Sequence, residues 1–218
     1  RHAAVLSLGL IGPAAKDAAP ALVEALKEEE VSVRVAAARA LLKVDPATRD
    51  AVSVLTAALQ EEDDFVRLSA AIDLVGIGPA AKDTVPVLIE LIKNSDNTNI
   101  HLTAVSALAK IGPESKDAVP FLIEALKDEK MYHLHAASAL GQIGPAAKDA
   151  VPALIDVLKD DNVDVRSSAA FALGRIGPAA KDAVPALTRM LMDSEGRVSS
   201  AAERALELIK YQQVEDRF

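Results

Sequence analysis

The sequence has no cysteine and no tryptophan. Without cysteine, disulfides, thiolate metal sites and cysteine nucleophiles are excluded. Aromatic residues make up only 3% of the chain, poor material for an aromatic-lined cofactor cavity. No run of 18 or more apolar residues occurs, so the sequence offers no membrane span. Positive charge is in deficit: 24 Lys and Arg against 32 Asp and Glu leave a formal net charge of −8. Phosphate affinity comes mainly from Lys and Arg, so this balance argues against nucleic acid or an anionic membrane as partner. No Gly-rich phosphate loop is present, because each Gly-Pro pair ends a helix and does not open a strand-to-helix turn. No catalytic constellation is evident. The expectation is a soluble, non-enzymatic protein without cofactor or metal, with the cytoplasm favoured and the oligomeric state open.

Half of the residues are hydrophobic, largely Ala, Leu, Val and Ile, which suit closely stacked helices. They are ordered by a repeat. Ile-Gly-Pro-Ala-Ala-Lys-Asp begins at Ile11, Ile77, Ile143 and Ile176, a variant at Ile111, and a degenerate copy, Val-Asp-Pro-Ala-Thr-Arg-Asp, at Val44. The prolines at 13, 46, 79, 113, 145 and 178 are spaced by 33, 33, 34, 32 and 33 residues. A fixed period of this size marks a solenoid array.

Each unit predicts two helices. Asp17 stands before the first as an N-cap, as do Asp83, Asp117, Asp149 and Asp182 in later copies. Pro20 and its equivalents fit the first turn, where no intrahelical donor is lost. Leu22, Val23 and Leu26 form the buried stripe, while Glu24 and Lys27 face solvent one turn apart. An acidic turn follows, such as Glu28-Glu29-Glu30 or Asp160-Asp161-Asn162. The second helix carries Val33, Ala37, Ala40, Leu41 and Val44 at an α-helical period. It ends at a glycine such as Gly78 or Gly144, which accepts the left-handed C-terminal position, and the next proline stops continuation. The pairs span 17–44, 50–77, 83–111, 117–143, 149–176 and 182–210, with helices of roughly 11 and 13 residues. A half repeat, 1–12, precedes them, a tail, 211–218, follows, and residues 1–218 read as one domain. The lone helix 2–12 leaves Val5, Leu8 and Ile11 partly open, so more repeats or a cover are expected upstream. Glu203, Arg204 and Glu207 give the last unit the polar look of a cap.

The unit resembles the HEAT repeat of the bacterial type found in phycobilisome-lyase-like proteins. The resemblance rests on Val33-Arg34, Val66-Arg67 and Val165-Arg166, on Ala139 to Gly144 and Ala172 to Gly177, and on Val151 to Ile155. It implies an all-α fold: a right-handed α-α superhelix (α-solenoid) of about six two-helix HEAT-like repeats plus one N-terminal half repeat. First helices would line its convex side and second helices its concave side. The resemblance also implies a ladder in which acids such as Glu28, Glu61 and Asp160 face Arg34, Arg67 and Arg166. The ladder is expected to lapse at His101, His133 and Ser199.

Two groups of residues rise above the repeat. Positions two and six after the leading Val should face away from the core; they include Val35, Arg39, Leu68, Ile72, Leu102, Leu134 and Phe171. An apolar row there suggests a groove for a peptide or partner helix. Arginines on the second helices beside acidic turns favour an acidic partner. The second group is an off-consensus patch: Asn97, Asn99, His101, Met131, Tyr132, His133 and His135. His133 and His135 are two apart on a helix and point to different sides, so they do not share a metal. The expected function is a scaffold or binding module for a protein or peptide. The resemblance supplies two alternatives: a lyase-like protein acting on a tetrapyrrole, and a HEAT-like nucleic-acid binder.

Overall fold

The computed structural model describes residues 2–45, 48–128 and 132–215. Pro46, Met131 and the end of the tail, 216–218, lie outside them. The described residues contain thirteen α-helices and no strand. Contacts divide the chain into two compact units, residues 1–111 and 112–218.

The first unit starts with α1 (His2–Ile11), and continues with α2 (Ala19–Ala25), α3 (Val31–Val44), α4 (Arg49–Ala58), α5 (Asp64–Ile77), α6 (Val85–Asn94) and α7 (Thr98–Ile111). Its second helices stack on one another, α1 on α3, α3 on α5 and α5 on α7, and α2, α4 and α6 each pack on the second helix that follows. The second unit comprises α8 (Val119–Asp128), α9 (His133–Ile143), α10 (Val151–Val157), α11 (Val163–Ile176), α12 (Val184–Met190) and α13 (Gly196–Glu215). Here α9 packs on α11 and α11 on α13, in the same pattern. The helix α13 runs on to Glu215, through most of the stretch read as a tail.

The predicted stripes are the core. Val33, Ala37, Ala40, Leu41 and Val44 are buried, as are Ile100, Ala104, Ala107, Leu108 and Ile111. Leu22 and Leu26 are buried on α2, with Val23 half-buried beside them. Val5 departs from expectation: it is 6% exposed, because α3 covers it, while Leu10 and Ile11 stand 84% and 55% exposed.

The repeated heptapeptide takes a form the sequence reading missed. Residues Gly12–Ala18, Gly78–Thr84, Gly112–Ala118, Gly144–Ala150 and Gly177–Ala183 are 3-10 turns that run into the next helix. The aspartates expected as N-caps therefore lie inside these turns. The cap positions are Ala18, Thr84, Ala150 and Ala183, none with a side-chain cap bond. Backbone carbonyls of the turn take their place, as when the Ala19 N–H donates to the Lys16 carbonyl. This also shortens the first helices to between seven and ten residues, as α2 and α6 show. Side-chain caps belong to the second helices instead. Asp63 accepts from the N–H groups of Phe65 and Val66, Asn97 from those of Asn99 and Ile100, and Asn162 from that of Asp164.

The helix-ending glycines do have positive φ, but not the left-handed helical ψ. Gly78 has φ 65° and ψ −134°, and Gly144 φ 72° and ψ −136°. That region is open to glycine and closed to residues with a Cβ. Where Asp45 replaces the glycine, the chain cannot make this turn. It leaves α3 in an extended conformation, φ −144° and ψ 95°.

Candidate functional site

The outward face of the second helices is the candidate site, and the two units present it differently. In the first unit, Val35 is 6% exposed and does not face a partner. The alanine-rich α3 is the reason: small side chains at 36, 37, 38 and 40 let neighbouring helices close over it, and a Cβ on Gly9 of α1 would stand 3.1 Å from the Ala40 Cβ. Leu68 and Leu102 are half-buried, and Ile72 is 54% exposed. Phe65, at 77%, shares a helix stripe with Leu68 and Ile72.

Arg39 is held within the fold. Its guanidinium donates to both carboxylate oxygens of Asp73 at 2.8 and 2.9 Å and to the Ser69 hydroxyl at 2.8 Å, joining α3 to α5. Asp73 stands where every later copy has alanine (Ala107, Ala139, Ala172 and Ala205), so its side chain is only 11% exposed. Burial raises its pKa above the usual carboxylate value, against the opposing pull of Arg39 and then Lys43.

The arginine ladder exists, but its partners differ from those expected. Arg34 donates to the backbone carbonyls of Glu28 and Glu29 in its own turn at 3.0 and 2.7 Å, and its carboxylate partner is Glu61 of the next repeat at 3.5 Å. Arg166 donates to the Asp160 carbonyl at 2.9 Å and to the Asp193 carboxylate at 3.1 and 3.3 Å. In both, the acid lies 27 residues on. His133 does not break the ladder: its Nδ1 meets the Asp160 carboxylate at 2.8 Å, also 27 residues on. An unexpected lapse falls at Arg67, where position 94 is Asn; Arg67 turns to Asp64 and to the Glu61 carbonyl, while Ser199 lapses as expected, returning its hydroxyl to the Gly196 carbonyl. Asn97 also donates to Asp64, at 2.8 Å, and this bond leads the causes that lower the Asp64 pKa. Asp193 is lowered too, first by the Glu195 N–H and then by Arg166. Thus Asn97 and His133 of the off-consensus patch serve a helix cap and the ladder, and Asn99 enters the cap only through its backbone N–H. Tyr132 opens α9, and His101 and His135 lie half-buried on α7 and α9.

In the second unit the outward face opens into a groove of about 540 Å³ across α9, α11 and α13. Ser138, Phe171 and Arg204 form its long row, one from each helix at the same repeat position. Ser167 and Ser200 form a second row. Phe171 is 46% exposed and Leu208 39%. Leu134 lies half-buried on α9, outside the groove lining. The outward row read from the sequence ends at Phe171; Arg204 stands there only among the second-helix arginines and the polar residues of a cap, and Ser200 and Leu208 are missed. The signal was the period itself: 33 residues after Ser167 and Phe171 come Ser200 and Arg204.

Helix pairs of this kind, stacked second helix on second helix, match a sequence family described as HEAT repeats over residues 1–76, 66–132 and 129–207. The chain belongs to the HEAT-repeat family. Among solved structures, this HEAT-repeat chain is similar to an engineered protein at 27% identity, with a TM-score of 0.67 over 88% of this chain and 96% of that one. It also resembles a designed armadillo repeat protein in complex with the peptide (KR)4, at 18% identity and TM-score 0.68, covering 88% and 99%. A third likeness is to the complex of CpcE and CpcF of phycocyanin lyase from Nostoc sp. PCC7120, at 22% identity and TM-score 0.54, covering 72% and 98%. No curated protein sequence matches the chain. No helix among the described residues is long and apolar enough to cross a membrane.

Proposed function

We propose that this HEAT-repeat protein is a non-enzymatic binding module that holds a protein or peptide on the outward face of its second helices. The observation that carries this reading is the groove across α9, α11 and α13. There a half-exposed Phe171 and Leu208 stand among polar side chains on a surface that the repeat's own core does not use. Ile72, Leu68 and Leu102 offer apolar surface on the corresponding positions of the first unit. Likeness to a peptide-bound armadillo design supports the kind of ligand only through fold. Likeness to phycocyanin lyase is also one of fold, so the tetrapyrrole reading gains no site from it.

The test is partner recovery by crosslinking with wild type and with Phe171→Glu and Ile72→Glu. Both positions are about half exposed, so circular dichroism should be unchanged. Loss of the crosslinked partner in Phe171→Glu is expected. Undiminished recovery in both folded variants rejects this surface.

A further inference from the structure

The groove of the second unit has a chemistry of its own. Its lining is Ser138, Ser167, Ser168, Ser200, Phe171, Arg197, Arg204 and Leu208 together with Gly and Ala, and no carboxylate is among them, in a chain whose net charge is −8. Glu203 and Glu207 are exposed on α13 but do not line it.

The groove's serines differ from three others on helices. Ser7, Ser106 and Ser199 return their hydroxyl to a carbonyl of their own helix at 2.9, 2.8 and 3.0 Å. No such bond holds Ser138, Ser167, Ser168 or Ser200 among the described residues. Four hydroxyls are therefore free to meet the polar backbone of a ligand. The two arginines differ in the same sense. Arg197 is tied to Asp164 at 2.5 Å. Arg204 is exposed on α13 and pairs with no acid among the described residues.

We infer that the groove binds an extended acidic peptide, with Arg204 taking one Asp or Glu carboxylate and Phe171 an apolar side chain. This rests on the reading of the same face as a peptide site and names its ligand. A carboxylate suits Arg204, the unpaired one of the two guanidinium groups lining the groove, which grips it through two parallel N–H donors. A phosphate dianion calls for a second cation, and Arg197 is already held. Adjacent helices lie about 10 Å apart and an extended chain advances about 3.3 Å per residue. The apolar anchor and the acid therefore sit about three residues apart in the peptide. Serine hydroxyls between them bond the peptide's amides.

Selection of a random twelve-residue display library on the full chain tests this, followed by binding of the enriched peptides by fluorescence anisotropy. Enriched peptides should carry Asp or Glu about three positions from a large apolar residue. Arg204→Glu should weaken them by about tenfold or more, as loss of a desolvated charge partner does, and Arg204→Lys should retain part of the affinity. Phe171→Ala should weaken all of them. Peptides that depend on Phe171 but carry no acid, or carry Lys and Arg, overturn the acidic ligand and leave the peptide site standing. Peptides insensitive to Phe171→Ala, or no enrichment at all, overturn both.

Discussion

At the scale of single residues, the charge pair of α3 and α5 is the clearest departure from the repeat. Asp73 is buried and Arg39 is a third exposed, so removing one or the other has unequal consequences. Arg39→Leu leaves the buried Asp73 carboxylate without its hydrogen-bonded partner, with Lys43 as the other cation acting on it, and is expected to destabilise by about 1–3 kcal/mol. Asp73→Ala restores the residue found in later repeats and frees Arg39 to water; it should change stability by less than about 1 kcal/mol. Urea denaturation at neutral pH measures both, and equal losses would refute the asymmetry. The pH dependence follows from the raised Asp73 pKa. A carboxyl with a folded pKa above its unfolded value binds its proton more tightly when folded, so its contribution to stability falls as pH rises through the raised pKa. The advantage of Asp73→Ala over wild type should therefore be larger at pH 7 than near pH 4. Asp64 and Asp193 act oppositely, because their folded pKa values are lowered. What they contribute is present above the ordinary carboxylate pKa and is lost as pH falls through the lowered value.

At the scale of helices and turns, glycine has three separate jobs, and a Gly→Ala series by thermal unfolding distinguishes them. On α11, a Cβ at Gly174 would lie 2.8 Å from the Ala205 Cα, because α13 packs directly against it. Gly174→Ala should destabilise by about 1–3 kcal/mol through overpacking. Gly144 ends α9 with a backbone that only glycine adopts freely, so Gly144→Ala should lose about 1–3 kcal/mol through strain. Gly76 of α5 has an ordinary φ and nothing within 4 Å of an added Cβ. There the gain in helix propensity should dominate, and Gly76→Ala should stabilise by about 0.5–1 kcal/mol. A uniform response across the three would contradict this division. The helices themselves were legible from the period of Val33, Ala37, Ala40 and Leu41. The 3-10 turns were not, because Asp17 before an apolar run has the look of a cap. Only the backbone showed that the Lys16 carbonyl already meets the first free N–H.

At the scale of the whole molecule, acidic residues dominate while the candidate groove carries none. With a sequence pI near 5.1, solubility should pass through a minimum at about pH 5, where self-repulsion vanishes, and turbidity across pH 4–8 reads it out. A minimum far from that value would mean that many carboxylates titrate abnormally. The sequence by itself determined the all-α repeat, its 33-residue period and its core, because apolar periodicity and the Gly-Pro breaks are local properties of the chain. Tertiary structure alone decided which outward residues are open. Val35 and Ile72 occupy comparable outward positions, yet one is shut beneath close-packed neighbours and the other stands clear. It also decided the pairing of charges, since the acids that meet Arg34, Arg39, His133 and Arg166 come from the following repeat. Burial and ion pairing depend on how near one helix lies to the next, and that distance is set by side chains of both.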